Sequence, residues 1–311
     1  MKISVVIPCH QDNKIVRECL NQIINQKKNH ELIIACDDFI FEYKQAKIVK
    51  SQKKLYANGI RNFGAKYAEG DYLLFLDSDI IVKNNFIESV EEYIKNNNVE
   101  ILNFPTGAER SNNLFANYKG HKESYQTGDF LKKNYGNIKI PFFGYAVLFK
   151  KTIFLELGGW PEIGKYDYIM EHEGFQKTIY KSKYKNDVTF DIKVDHYHHK
   201  NLDLFKQIIF RTKIWTLKKL RGEVDLDEFK SKKNALFSCL IFLSFFTLFI
   251  NSNISLILIL IYIIGDKGFL FFLFKKNKLL FTVFFFIHLV YYICIFLGAF
   301  KATIEHIFDK K

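Results

Sequence analysis

LLFLDSDIIV, residues 73–82, combines the pattern of a buried strand with two carboxylates. Its LLFL and IIV runs are typical of a buried strand, yet Asp77 and Asp79 lie between them. An unpaired carboxylate is costly in an apolar setting, so we expect the pair at a strand end, beside solvent, a cation or a base. Residues two apart in an extended segment point the same way, so both can converge on one ion. Such ligands suit Mg²⁺ or Mn²⁺ with substrate phosphates; a solvated Asp-Ser-Asp turn is the alternative.

The composition changes along the 311-residue chain. Residues 1 to about 234 mix charged and apolar side chains as a soluble domain does, whereas Phe, Leu and Ile dominate residues 235–300. A net charge of +12 is compatible with nucleic acid, an anionic membrane or anionic substrates. Because no nucleic-acid-binding motif accompanies it, we predict membrane lipids and a phosphate-bearing substrate as partners, and no nucleic acid.

Five scattered cysteines form no C-x-x-C pair, which indicates reduced, structural thiols. The N-terminal sequence MKISVVIPCHQD does not resemble a cleavable leader. We therefore expect the catalytic part to begin in the cytoplasm.

The C-terminal region, residues 223–311, is predicted to be an all-α transmembrane region. It holds apolar runs at 235–250, 254–264 and 279–300, and only the last has the roughly 20 residues that a full span needs. The first two form either a short hairpin or one long tilted helix interrupted at NSN, 251–253. The segment 266–278 divides the second run from the third.

Lysines precede the first and the third runs, which favours the cytoplasmic side for the start of each of these two runs. Two short spans followed by one full span satisfy this rule, so we predict a multi-pass protein of the cell membrane. His288 lies in the third run, and nothing in the sequence pairs with it. We expect it to be packed or interfacial.

Strand-like and helix-like segments alternate in the soluble part. ISVVIPC (3–9), ELIIACDD (31–38) and KIVKS (47–51) read as strands, and residues 12–26 as a helix. This alternation implies a parallel sheet with ligands beyond the carboxyl ends of its strands. The segments expected to border one crevice are 8–11, 37–38 and 77–79.

Four blocks of the sequence resemble, in the same order, those of a family 2 glycosyltransferase with the GT-A fold. They are SVVIPCHQD, LIIACDD, GIRNFGAKYAEGDYLLFLDSD and FFGYAVLFKKTIFLELGGWPE. The resemblance covers residues 1 to about 215. It implies an α/β, Rossmann-like, mostly parallel sheet that binds a nucleotide-diphospho-sugar. We assign this domain to residues 1–222, including an interfacial helix near 202–222.

The resemblance also implies roles for individual residues. Asp79 and Asp77 would serve the divalent cation, with Asp77 alternatively holding the ribose or a metal-bound water, and His196 completing the shell. The residues implied to bind the nucleotide-sugar are Pro8, His10, Asp37, Asp38, Arg61, Asn62 and Asp77. Asp37 and Asp38 would meet the nucleobase, Arg61 the diphosphate, and Asn62 the ribose or backbone. For Arg61 the alternative is a solvated helix charge.

Two departures from the family pattern concern the donor side. DDFIFEYKQAK follows the first carboxylate pair in place of the usual Gly-Ser-Thr run, and Gln11 stands where Asn is common. The first change leaves open which nucleobase of the donor this loop prefers.

The catalytic base is expected in YIMEHEGFQK, residues 168–177. His172 stands where the family has an aspartate, with Glu171 and Glu173 on either side. A carboxylate from this group is the better candidate. The alternatives are a histidine base or an acceptor that is already anionic, such as a polyprenyl phosphate.

LFKQIIFRTKIWTLKKLRG, residues 204–222, mixes cations with Leu, Ile and Trp, which is typical of an interfacial helix. It does not reproduce the Gln-x-x-Arg-Trp spacing of the membrane synthases that the family includes, which argues against a processive polysaccharide synthase.

We therefore expect a membrane-anchored, metal-dependent, inverting glycosyltransferase with a cytoplasmic catalytic domain. It would move a sugar from a nucleotide-sugar to a lipid-linked or envelope-glycan acceptor. The alternatives are a polyprenyl-phosphate glycosyltransferase and a nucleotide-sugar-binding membrane protein without turnover.

Overall fold

A computed structural model describes residues 1–27, 29–37, 42–43, 45–107, 113–161, 171–197, 203–222 and 229–309. At 171–173, 203–204, 229–231 and 309 it describes the backbone alone. The chain divides into two compact units. The first comprises Met1–Arg110 with Gln126–His198, and the second Ser111–Tyr125 with His199–Lys311.

The strands all belong to the first unit. They are β1 (Ile3–Pro8), β2 (Glu31–Cys36), β3 (Lys47–Lys50), β4 (Tyr72–Leu76), β5 (Ile80–Ile81), β6 (Ile101–Asn103), β7 (Ala146–Lys150), β8 (Asn186–Val188) and β9 (Asp195–His196). The described strands form a seven-stranded sheet in the order β3-β2-β1-β4-β7-β6-β8, and β5 pairs with β9.

The first unit also contains helices between and after these strands. They are α1 (Lys14–Ile24), α2 (Ala57–Ala65), α3 (Phe86–Asn96), α5 (Phe130–Lys133), α6 (Lys151–Glu156) and α7 (Glu171–Lys181). A π-helical turn, Tyr125–Asp129, precedes α5. The helices of the second unit are α4 (Leu114–Ser124), α8 (Asp203–Leu220), α9 (Phe229–Thr247), α10 (Ser252–Gly265), α11 (Lys267–Lys276) and α12 (Phe281–Asp309).

The predicted mostly parallel α/β sheet is confirmed. Strand β1 is parallel to both β2 and β4, β2 to β3, and β6 to β8, whereas β7 runs antiparallel to both of its neighbours. Every residue of β1 is buried, as expected for a strand with helices over both faces.

Alternate residues of the central strands feed two cores, because strand side chains point to opposite faces in turn. On one face Val5 and Ile7 pack with Leu20 of α1. On the other, Val6 and Phe75 belong to a cluster with Ile60, Trp160 and Phe175 from the helices and turn opposite. Together these cores fix the sheet between helical layers, so its carboxyl edge is held rigidly.

In the second unit, α8 packs on α12, α12 on α9, and α9 on α10. The runs predicted at 235–250 and 254–264 form the hairpin alternative, since the Ser255 hydroxyl of α10 donates to the Ser244 carbonyl of α9 at 2.7 Å. The segment 266–278 is not simply a divider: most of it is helix α11, bent by 74° from α10. The sequence pattern does not reveal this helix, because lysines flank its apolar residues.

By length and composition, Phe281–Phe308 is long and apolar enough to cross a membrane, and the bent pair α10–α11 would qualify as a second, broken span. His288 is packed as predicted, with no exposed surface. It does have partners that the sequence analysis did not find: its Nε2 lies 2.8 Å from Asp266 Oδ2, and its Nδ1 bonds the Tyr118 hydroxyl.

Candidate active site

Three functional segments meet at one edge of the sheet. Strands β1, β2 and β4 are parallel neighbours that end at Pro8, Cys36 and Leu76. The strand ends therefore bring Pro8, Asp37 and Asp77 to the same carboxyl edge, as the alternation of strands and helices predicted. Asp77 follows the strand end directly, which explains how a carboxylate can stand inside an apolar run.

Asp37 and His10 border this edge in different ways. The Asp37 carboxylate is 7% exposed and accepts a hydrogen bond from the Leu55 backbone N–H at 3.0 Å, which fixes its orientation. His10 is exposed. Burial raises the pKa of the neighbouring Cys9 thiol to about 11. Asp38 lies outside the described residues, so its predicted role stays a prediction.

Asp77 is bound by a buried arginine. The Arg61 Nη2 lies 2.6 Å from Asp77 Oδ1, and Arg61 itself is 2% exposed. Its Nη1 donates to Asn58 Oδ1 at 3.1 Å, and its guanidinium carbon stands 4.6 Å from the centre of the Trp160 ring. The solvated helix charge considered for Arg61 is therefore wrong, because the side chain is enclosed by a carboxylate, an amide and an indole.

Asp79 and His196 come together through a short second sheet. Ile80 pairs with His196 in the antiparallel β5–β9 ladder, and the Tyr197 N–H donates to the Asp79 carbonyl at 2.9 Å. The His196 Nε2 consequently lies 3.5 Å from Asp79 Oδ2, and the two side chains are 16% and 30% exposed. The His196 ring stacks on Tyr145, with ring centres 5.4 Å apart.

The donor atoms of Asp79 and His196 fit a divalent cation that binds together with a diphosphate. Among the described residues, no group of three or more His, Cys, Asp or Glu side chains assembles to hold a metal. Mg²⁺ at nucleotide sites is commonly held by one or two carboxylates plus substrate phosphates and water. The structure gives Asp77 and Asp79 different partners, and their convergence on one ion stays a prediction.

Helix α2 also holds the Gly-Gly-Trp turn that the sequence places on the acceptor side. The Asn62 side chain accepts from the Trp160 N–H at 2.9 Å and donates to the Trp160 carbonyl at 2.8 Å. Gly158 and Gly159 have φ of +79° and +72°, and a Cβ on Gly159 would lie 2.8 Å from Asn62 Oδ1. This turn therefore needs glycine for its backbone and for its close approach to α2.

Asn58 adds a third bond to the same turn, because its Nδ2 donates to the Pro161 carbonyl at 3.0 Å. The sequence analysis gave Asn62 a ribose or backbone contact and gave Asn58 no role. The signal that could have found them is their spacing, since residues four apart share a helix face, here the one that carries the buried Arg61.

The candidate bases lie at the start of helix α7, which begins at Glu171. Residues 162–170 and the side chains of Glu171, His172 and Glu173 lie outside what the structure describes. The helix itself is anchored nearby, since Phe175 is fully buried with its ring centre 5.1 Å from that of Trp160. The choice among the three side chains stays a prediction.

Fold and strand-edge geometry together define a GT-A-type α/β protein with a mostly parallel sheet. Residues 4–157, just under half of the chain, match the model of Glycosyl transferase family 2, so this part of the chain is similar to a domain of that family.

The proteins that the chain resembles include two curated relatives and one solved structure. Glycosyltransferase GlyG of Streptococcus pneumoniae is 29% identical over 112 residues, covering 32% of this chain and 37% of the relative. The poly(ribitol-phosphate) beta-N-acetylglucosaminyltransferase TarP of Staphylococcus aureus is 27% identical over 168 residues, covering 49% and 50%. The chain thus spans half or less of the length of these two relatives.

The mannosyltransferase PcManGT from Pyrobaculum calidifontis, solved with GDP-Man and Mn²⁺, superposes with a TM-score of 0.51 at 12% identity. The superposition covers 99% of this chain and 88% of that one. At this identity the similarity establishes the fold alone.

Proposed function

We propose that the protein is a membrane-associated, metal-dependent, inverting glycosyltransferase. It transfers a sugar from a nucleotide-sugar to a lipid-linked or envelope-glycan acceptor. The observation that carries the proposal is the meeting of Asp37, Asp77 and the Asp79–His196 pair around the carboxyl edge of a family 2 domain.

The donor side follows from the orientation of each carboxylate. Asp37 is held by the Leu55 N–H, and we propose that its carboxylate accepts from a nucleobase edge. Arg61 holds Asp77 in place, so that carboxylate is oriented before the donor binds. Preorganisation of this kind lowers the cost of ordering the site when the substrate arrives.

Asp79 and His196 are the side chains that we propose hold Mg²⁺ or Mn²⁺. A divalent cation there would offset the charge that develops on the leaving nucleoside diphosphate. A separation of 3.5 Å between donor atoms is short enough for one ion to take both.

The acceptor hydroxyl attacks the anomeric carbon while the bond from that carbon to the diphosphate breaks. The configuration of the anomeric carbon is thereby inverted. A base must take the hydroxyl proton, and we propose a carboxylate among Glu171, His172 and Glu173. Asn62 supports the turn that precedes this helix. A polyprenyl phosphate acceptor would need no base, because it is already anionic.

We place the protein at the cell membrane, with the family 2 domain on the cytoplasmic side. The apolar helices of the second unit and the net charge of +12 support attachment to an anionic bilayer. The multi-pass arrangement predicted from the sequence requires α12, or the bent pair α10–α11, to cross the bilayer.

The test is release of nucleoside diphosphate from a panel of nucleotide-sugars by the full chain in detergent. It is run with Mn²⁺ or chelator, and with polyprenyl phosphate, a lipid-linked sugar or no acceptor. Metal-dependent release from one donor, accelerated by one acceptor, supports the proposal and identifies both substrates. Donor binding with no turnover under any condition would overturn it in favour of a non-catalytic nucleotide-sugar-binding protein.

A further inference from the structure

Charge is distributed unevenly among the helices of the second unit. Helix α8 carries Lys206, Arg211, Lys213, Lys218 and Lys219. By contrast, the sequence from 234 to 265, which includes α10, has no charged residue. Helix α8 packs on α12, and α12 also packs on α9 and contacts α10, where the Tyr262 ring centre lies 5.7 Å from that of Tyr292.

The uncharged helix α10 exposes apolar side chains. On α10, Ile254, Ile257, Ile261 and Ile264 are 46%, 55%, 48% and 64% exposed. Their spacing of three and four residues puts them on one face of the helix. The end of the hairpin is also apolar, with Phe249 80% and Ile250 72% exposed. A contiguous exposed apolar surface marks contact with a membrane or with another protein, and the lack of charge from 234 to 265 favours a membrane.

A perpendicular crossing by α12 conflicts with its neighbours near the centre of its apolar run, 279–300. His288 lies there and bonds Asp266, whose other oxygen lies 2.7 Å from Lys233 Nζ. The Lys122 Nζ of α4 is 3.5 Å from the centre of the Tyr291 ring. A crossing would put this carboxylate and both ammonium groups near the middle of the bilayer, where ionisable groups are costly.

The C-terminal half of α12 conflicts with a crossing as well, because α8 lies against it. A Cβ on Gly298 would be 2.5 Å from the Ile209 carbonyl oxygen, so the two helices are in close contact there. Further along, Lys213 forms an ion pair with Glu305. A perpendicular α12 would carry the cations of α8 into hydrocarbon.

We propose that the second unit lies in the plane of the membrane rather than crossing it. Helix α10 and the outer side of α9 sit among the acyl chains of one leaflet, and the cations of α8 sit among anionic headgroups. Helix layers are about 10 Å apart, so α8, α12 and α10 as three successive layers span about 20 Å between the outer axes, which one leaflet accommodates with about 15 Å of hydrocarbon and its headgroups. Both ends of α12 then lie on the same face of the membrane. This inference deepens the proposed membrane association.

The geometry can be measured by the depth of single tryptophans. Ile254, Ile257, Ile261 and Ile264 are changed to Trp one at a time in the full chain carrying Trp215→Phe, and the parent signal from the buried Trp160 is subtracted. The proteins are placed in anionic phospholipid vesicles that contain lipids brominated at shallow or deep acyl positions. Phe210→Trp on α8, where Phe210 is 42% exposed, is the matched control.

An in-plane helix predicts the same depth for all four α10 positions and strong quenching at each, with the control quenched only by shallow bromines. A crossing helix predicts a gradient of about 15 Å from position 254 to 264, at 1.5 Å per residue. A gradient would overturn the proposal. Absence of quenching at all four positions would also overturn it, and would point to coverage by a second copy of the chain.

A second measurement does not depend on these substitutions. A protease site appended after Lys311 should be cut only from the face that carries the catalytic domain, and cutting from the opposite face would overturn the proposal. Depths are measured again with Asp79→Ala, which should leave them unchanged. Failure of glycosyl transfer therefore remains separate from failure of the in-plane arrangement.

Discussion

Each unit of the molecule contains an aspartate–histidine pair, and the two pairs differ in contact distance and in exposure. Asp79 and His196 are 3.5 Å apart and remain 30% and 16% exposed. Asp266 and His288 are 2.8 Å apart and 5% and 0% exposed. Lys233, Tyr118 and Tyr292 supply further bonds to the second pair.

We propose that the more exposed pair receives a ligand, whereas the buried pair holds the helical unit together. The Asp79–His196 pair is partly exposed and its contact is the longer of the two. A buried pair with additional partners is already satisfied, and breaking it leaves uncompensated charge in an apolar interior. The same residue types therefore have opposite expected responses to substitution.

Asp266→Ala should give the larger loss of stability. It leaves the fully buried His288 and the partly buried Lys233 without their carboxylate, so we expect a loss of about 3–5 kcal/mol, measured by denaturant unfolding of the full chain in detergent. The control is Lys233→Met combined with Asp266→Asn, which removes both charges and should recover part of the loss. If Asp266→Ala unfolds at the same midpoint as the parent, the buried pair does not stabilise the helical unit.

Asp79→Ala should instead leave stability nearly unchanged and reduce turnover. Loss of a group that stabilises charge in the transition state commonly costs about 10²–10³-fold in rate, and we expect a fall of this size in nucleoside diphosphate release. Glu92→Ala, at an exposed carboxylate on α3, is the control. Turnover retained in Asp79→Ala would show that this carboxylate is not a metal ligand.

The sequence was most informative where the signal was local. Short continuous apolar runs, closed by polar residues, located β1, β2 and β4, and parallel topology then placed Asp37 and Asp77 at one edge. The resemblance suggested that His196 reaches the Asp79 site, and the β5–β9 ladder does bring the two together. The cation itself remains a prediction.

The remaining features depend on contacts between distant parts of the chain. Asp266 was read as part of a divider, and its bond to His288 could not be found because no local periodicity connects them. The same holds for Asn62 and the backbone of Trp160, 98 positions apart in sequence. Burial is a further property that the sequence alone does not give. Arg61 could have been a solvated charge on its helix, and its enclosure in the structure excludes this.

Asn62→Ala should have an intermediate effect, because Asn62 positions a turn without an expected contact to reacting atoms. Two bonds to the Trp160 backbone are lost, and we expect a loss of roughly 1–3 kcal/mol in stability. Trp160 emission should shift to longer wavelength as the turn loosens. Asn62→Asp is the matched variant, since it keeps the acceptor for the Trp160 N–H and loses the donor. An unchanged emission spectrum in Asn62→Ala would show that other contacts hold the turn.

Asp187, in the first unit, forms a partly exposed ion pair with Lys185, and we expect it to contribute less to stability than the buried Asp266–His288 pair. Burial alone would raise the pKa of Asp187, but hydrogen bonds from Lys185, Tyr135 and the Val188 N–H outweigh it and lower that pKa below 3.8. The bond to Asp187 in turn raises the pKa of Tyr135 to about 12. Lys185 Nζ lies 2.6 Å from Asp187 Oδ2, with Lys185 67% exposed.

The sign of the pH dependence follows from these directions. A lowered carboxyl pKa stabilises the fold above the unfolded value, and this contribution is lost as the pH falls through the folded value. A raised tyrosine pKa stabilises below the unfolded value near 10 and is lost as the pH rises toward 12. Asp187→Asn should therefore flatten both limbs of a stability profile, by less than about 1 kcal/mol because the lysine is solvated. Asp191→Asn, at an exposed carboxylate nearby, should leave both limbs in place, and equal profiles for the two variants would show that the Asp187 bonds contribute nothing measurable.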